Sequence, residues 1–257
     1  MRVSRLRLLV GVTIVGAGPG FVGAFANQVT GLAASPTRWS PFLSASVAGA
    51  VAWAIFFRRR MRIDTFVHEL GHYLACLVFL RRVPRFHATD GGPGDVTHMG
   101  GLGGQFGDDF IGLAPYFFPP ITLALAVIAP AVRHEWTAVS EVVVGASLGA
   151  HICGTAIEVR RNWSPRPFRS SVDGEWAFTD IRKRGYFYST LFIAAMNFIF
   201  TGIIVSLVAL GYPGVVIWGR DVADSCLSAH AFWLEHARHA LVSLVAEAAN
   251  AIGWRSL

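Results

Sequence analysis

Five apolar runs, roughly residues 8–30, 41–57, 110–132, 138–157 and 187–212, limit what this chain can fold into. About 20 apolar residues in a helix span the hydrocarbon of a bilayer, and a backbone in lipid must satisfy its own hydrogen bonds. The expected fold class is an all-α polytopic membrane protein with about five membrane-spanning helices. Composition agrees, since 53% of residues are hydrophobic, 15% are charged and the mean hydropathy is +0.49, too high for an ordinary soluble enzyme. The formal net charge of +6 does not point to nucleic acid. Lys183 is the only lysine, and the arginines gather beside apolar runs, as cytoplasmic flanks do. Cys76, Cys153 and Cys226 are odd in number and scattered, so they provide no disulfide framework. Neither an internal repeat nor a second soluble domain is visible.

The first run contains "VTIVGAGPGFVGA", in which Gly18, Gly20 and Gly23 have the dinucleotide-binding spacing. That fingerprint needs an acidic residue about 20 positions later for the ribose. The first carboxylate in the chain is Asp64, so no nucleotide is expected. The glycines suit close helix packing in lipid. Residues 1–30 are therefore a membrane helix or a signal peptide, the latter with Arg2, Arg5 and Arg7 ahead of the apolar core and "AFA" ending at Ala26. Residues 31–212 form the membrane domain, and 213–257 an amphipathic C-terminal helix.

Positive charge sets the orientation. Arg58, Arg59, Arg60 and Arg62 mark the end of the second run as cytoplasmic. Arg160, Arg161, Arg166, Arg169, Arg182, Lys183 and Arg184 mark 158–186 in the same way. Both hold together if residues 64–109 enter and leave on the cytoplasmic side, with a short buried helix over 64–80 followed by a glycine-rich re-entrant loop. That loop, "ATDGGPGDVTHMGGLGGQFGDDFIG", is too polar to face lipid. It is read as a flexible connector, a gate, or a strand edge on which an extended peptide could lie. His98 within it is read as a solvated or capping residue.

The buried helix has the sequence "FVHELGHYLACLVFL". Its periodicity puts His68 and His72 on one face, one turn apart, where both imidazoles reach one metal ion. Glu69 falls about 100° round the helix, beside that ion. This is the His-Glu-x-x-His pattern, in which two neutral imidazoles hold zinc and the glutamate activates water. Cys76 extends the face by a turn, but three consecutive ligands on a straight helix diverge from one ion. A third protein ligand has to come from elsewhere. Taking Asp64 as the helix start, His68 and His72 lie about 6 and 12 Å deep, and His151 lies roughly 9 Å above the cytoplasmic end of its run. Asp180 in "FTDIRKRGYFYS", with Thr179 as its cap, and Asp173 in "SVDGEW" lie on the same side. His151, Asp180 and Asp173 are the candidates.

"HELGHYLA" on an apolar helix, with a later aspartate near the start of another crossing, resembles the site-2-protease-like (M50-type) zinc metallopeptidases of membranes. More narrowly, "GDVTHMGG", "FIGLAPYFFPP" and "TDIRKRGYFYS" are similar to a divergent bacterial branch of that family, over residues 64 to 205. The resemblance implies Zn2+ on His68, His72 and Asp180, with His151 as alternative or supporting ligand and Glu69 as catalytic base. It implies a multi-pass protein of the bacterial inner membrane, in contact with lipid, cleaving a peptide or membrane-protein substrate. The leucine-aspartate-glycine segment of better-known members has only "SVDGEW" as its counterpart here.

Three further expectations concern the remaining polar groups. Asn197, in the last crossing, is an interhelical hydrogen-bonding residue or an oxyanion donor. The alternative to an enzyme is a catalytically inactive membrane protein with a closed metal site or a scaffold role, in which His151 and Asp180 both coordinate. The polar face "EHARH" of the C-terminal helix, residues 222–252, suits solvent at a membrane interface.

Overall fold

The computed structural model of the protein describes residues 4–56, 62–87, 95–132, 134–163, 168–169, 176–177 and 179–251. Asp173 and Arg58–Arg60 lie outside them. Two long helices, α1 (Arg5–Ala33) and α2 (Pro36–Phe56), open the chain. The short helix α3 (Arg62–Val78) follows and carries the His-Glu-x-x-His pattern. Strands β1 (Arg82–His87) and β2 (Asp95–Met99) pair antiparallel, with an irregular register between Arg82 and Arg85. Part of the predicted glycine-rich loop is thus strand, and its end is helix α4 (Gly104–Leu113). A 3-10 turn at 114–116, α5 (Pro120–Ile128) and α6 (Thr137–Asn162) come next. The chain closes with strands β3 (Phe168–Arg169) and β4 (Trp176–Ala177), the one-turn helix α7 (Asp180–Arg184), α8 (Tyr186–Leu210) and α9 (Tyr212–Ala251).

The protein is an all-α polytopic membrane protein. Helices α1, α2, α6 and α8 are long and apolar enough to cross a bilayer. Leu8, Val12, Val47, Ile55 and Val139 are exposed along them, as lipid-facing side chains are. The run over 110–132 is not the continuous span expected. Its two halves, 104–116 and 120–131, meet at 83°. Three prolines explain the break. Pro115, Pro119 and Pro120 have no N–H to donate four residues back, and each disfavours helical backbone in the residue before it. A broken helix at membrane depth persists only where neighbours satisfy the freed groups.

Helices α2 and α6 meet backbone to backbone. A Cβ on Gly149 would fall 1.7 Å from the Ser46 carbonyl oxygen, one on Gly49 2.0 Å from that of Ala146, and one on Gly145 2.4 Å from that of Phe42. On the other side of the domain α1 packs against α8 and α9. Gln28 Nε2 donates to the Gly202 carbonyl at 3.0 Å and to Ser206 Oγ at 2.8 Å. Of the three glycines with nucleotide-like spacing, Gly20 makes close contact, with the backbone of Ser225 and Cys226, while Gly18 and Gly23 have open space. An aromatic core of Phe110, Phe117 and Phe192 fills the region between α4 and α8, with Ile111, Leu113, Tyr116 and Ile181 buried around it. The C-terminal helix begins at Tyr212, next to the expected boundary at 213, and its first half is packed against α1. Glu235, His236, Arg238 and His239 are exposed on its far half, as the sequence led us to expect.

Candidate metal centre

Helix α3 lies against the 3-10 turn because residue 71 is glycine: a Cβ there would come within 3.1 Å of Pro115 Cα. That approach buries the motif face, placing His68 and His72 with ring centroids 5.0 Å apart and Tyr116 edge-on to His68 at 5.6 Å. Helix α7 brings Asp180 from the chain's other half. One ligand atom from each of His68, His72 and Asp180 lies within 4.8 Å of the others, and Asp180 Oδ2 is 3.8 Å from His72 Nε2. Among the described residues this is the group of histidine, cysteine and carboxylate side chains arranged to hold a metal ion.

Each imidazole has its Nδ1 engaged elsewhere. His72 Nδ1 donates to the Ile111 carbonyl oxygen at 2.7 Å. In an α-helix that carbonyl would accept from residue 115, but Pro115 has no N–H; the Ala114 N–H bonds to it instead, and its second lone pair takes the imidazole. His68 Nδ1 lies 2.5 Å from Glu158 Oε1 of α6. Nε2 is then the nitrogen each ring has left for a metal, and a metal-bound histidine characteristically donates its other ring N–H to a carboxylate or a backbone carbonyl. The donor set of two imidazoles and one carboxylate matches catalytic zinc sites. Burial opposes ionisation of Asp180, yet His72, Arg184, Lys183 and His68 together hold its carboxyl below the ordinary value.

Glu69 is buried, 4% exposed, on the helical turn that carries both histidines. His151 does not join the converging group. It lines a cavity with His68, Glu158, Thr122, Ser147 and Trp53, and its Nε2 is buried without a hydrogen-bond partner. Cys76 is fully buried as a free thiol and also stays outside the group. The Asn197 amide nitrogen donates to the Tyr116 carbonyl at 2.9 Å and to that of Ile193 at 2.9 Å. The Tyr116 carbonyl is open because residue 120 is proline, so Asn197 repairs the broken helix and has no donor for an oxyanion. His98 Nδ1 sits 3.1 Å from Arg81 Nη1, which also pairs with Asp108. Thr179 precedes α7 without capping it, and its hydroxyl donates to the Asn162 carbonyl at 2.9 Å.

Glu158 was missed by the sequence reading. Its signal was its position seven residues after His151, on the same face of an apolar helix. The role of the Ile111 carbonyl had a signal as well, in the proline four residues on.

A family model described as Peptidase M50B-like matches residues 42–168. The matched stretch runs from α2 through α6 and includes His68, Glu69, His72, His151 and Glu158, but not Asp180. This match supports an M50-type, site-2-protease-like family for the chain, and with it a membrane metallopeptidase kinship. No curated protein and no solved structure matches the chain.

Proposed function

We propose that the protein is an integral-membrane zinc metallopeptidase that hydrolyses peptide bonds at or within the membrane, with His68, His72 and Asp180 as ligands and Glu69 as general base. One observation carries this reading: the three side chains converge within 4.8 Å while Glu158 and the Ile111 carbonyl take up the second nitrogen of each histidine. Zinc there would supply Lewis acidity, lowering the pKa of water and polarising the scissile carbonyl.

The chain's own residues do the rest. The Glu69 carboxylate accepts a proton from the attacking water and returns it to the leaving amine. Glu158 and Ile111 fix both imidazole rings, and Asp180 remains ionised. The arginines support a cytoplasmic opening of the site. Arg7, Arg81 and Arg184 all pair with Asp108 or Asp109 in the middle of α4, which brings the start of α1, the chain just after α3 and the end of α7 together. A closed structural site needs a fourth ligand, and His151 lies outside the converging group. That favours an open coordination position and hence an enzyme.

Metal analysis and a peptidase assay test the proposal together. The purified protein is expected to hold one zinc per chain, to lose it in His68→Ala, His72→Ala and Asp180→Ala, and to keep it in His151→Ala. Glu69→Gln is expected to keep zinc and lose ~10²–10⁴-fold in peptide hydrolysis. Full zinc in the double histidine variant, or unchanged hydrolysis in Glu69→Gln, sinks the proposal.

A further inference from the structure

Asp180 is reached by a chain of alternating charges. Arg184 Nη1 lies 3.5 Å from Asp180 Oδ1, and Lys183 Nζ lies 3.6 Å from the same oxygen. Oδ2 is the oxygen that faces His72. The two oxygens of this carboxylate thus have different neighbours, cations on one and an imidazole on the other. Arg184 is itself held from three directions. Its Nη1 donates to the Asp180 carbonyl at 3.2 Å, its Nη2 donates to the Asp108 carbonyl at 2.9 Å, and its Nε lies 3.2 Å from Asp109 Oδ1. Asp109 is 1% exposed and is gripped on its far side by Arg7 of α1, with Nε at 2.9 Å from Oδ2 and Nη2 at 2.7 Å from Oδ1.

A seat for the guanidinium is built into α4. A Cβ on Gly112 would lie 1.7 Å from Arg184 Nη2 and 2.1 Å from its Cζ, so only glycine leaves the space. Gly112 adjoins Ile111, whose carbonyl orients His72. One turn of α4, "DDFIG", therefore touches both a histidine ligand and the support of the carboxylate ligand.

We propose that Arg184 is a positioning residue for the third metal ligand: seated in the Gly112 slot and anchored by Asp109 and Arg7, it holds Asp180 by Oδ1 so that Oδ2 is presented toward His72. This rests on the metal-site reading above. A lone cation so near the metal would oppose it by charge. Asp109 balances Arg184 and Arg7 balances Asp109, so fixed geometry remains as the contribution to binding. An outer partner of a metal ligand is worth ~10–100-fold in metal affinity.

The test is zinc affinity of the detergent-solubilised full-length protein, measured by chelator competition, with thermal unfolding of the zinc-free form as the folding control. Arg184→Met is expected to weaken zinc binding ~10–100-fold. In an Asp180→Asn background, which keeps a weaker neutral oxygen ligand and so measurable binding, the same change is expected to cost much less, because Arg184 acts through the carboxylate charge it holds. Gly112→Ala, which displaces the guanidinium, is expected to match Arg184→Met without adding to it. Cobalt in place of zinc gives a second readout, with the visible spectrum of the wild type altered in Arg184→Met. If Arg184→Met fails to fold, Arg184→Lys keeps the charge and is expected to bind zinc more weakly than wild type; equal affinity in that variant overturns the inference. Equal fold-loss in the wild-type and Asp180→Asn backgrounds also overturns it. Zinc that depends on His68 and His72 but is indifferent to Arg184 overturns this inference alone, whereas zinc indifferent to both histidines overturns the metal site as well.

Discussion

His72 Nδ1 donates to the carbonyl oxygen of Ile111, 39 residues along the chain, at 2.7 Å. The usual helical donor to that oxygen is missing because the residue four positions after Ile111 is Pro115, so the ring shares the acceptor with the Ala114 N–H alone. The proline that breaks the helix thereby releases the group that orients a proposed metal ligand. Pro115→Ala restores an N–H that competes for Ile111. We expect zinc affinity to fall about tenfold while the overall helix content by circular dichroism stays the same. Wild-type affinity in Pro115→Ala would show that the carbonyl does not orient the ring.

Glu158 stands to His68 as Ile111 stands to His72. Glu158→Gln keeps the shape and removes the charge. Its zinc affinity is expected to drop ~10–100-fold, and a His68→Gln background that retains weak zinc binding is expected to be much less sensitive to the same change. If Glu158→Gln weakens zinc equally in both backgrounds, Glu158 acts on something other than His68.

The contact between α2 and α6 has no room for a side chain. A methyl group at Gly149 collides with the Ser46 carbonyl and forces two spans apart. Gly149→Ala is expected to cost about 1–3 kcal/mol, read as a lower midpoint of thermal unfolding in detergent. Gly11→Ala is the control, since nothing lies within 4 Å of that position. Equal midpoints for the two variants would remove the close approach.

Helix α1 contributes Arg7 to buried Asp109 and Gln28 to α8. Cutting after Ala26 would strand Asp109 with half of its cationic partners and expose the flank of α8. We expect α1 to be retained, so that intact-mass spectrometry of protein from membranes gives a species containing Arg7. Arg7→Gln should destabilise the fold by about 1–3 kcal/mol, since a buried carboxylate loses one of its two partners. A mature species beginning after Ala26 would make the first helix a leader and refute the pairing.

Local pattern made much of this site legible. The proposed ligands His68 and His72, with Glu69, stand out from helical spacing in an apolar run, whereas position alone left Asp180 level with His151 and Asp173, and the family resemblance pointed to Asp180. The spans at α1, α2, α6 and α8 follow from hydropathy, with ends shifted by a few residues because caps and turns set the boundary. The bent segment was harder to see. Residues 110–132 are apolar throughout, and hydropathy carries no information about the missing N–H groups of Pro115, Pro119 and Pro120, which decide the break. Least accessible were contacts between distant residues. Arg7 and Asp109 are 102 positions apart, and nothing in either neighbourhood names the other. Glu158 lies between the two extremes, since its helical face is readable and its partner His68 is not.

The glycine seam between α2 and α6 also bears on traffic. Two spans locked main chain to main chain do not swing open like a door, because parting them exposes carbonyls and flat glycine faces to lipid. On the proposed peptidase reading, a polypeptide entering from the bilayer has to come in elsewhere than through this seam.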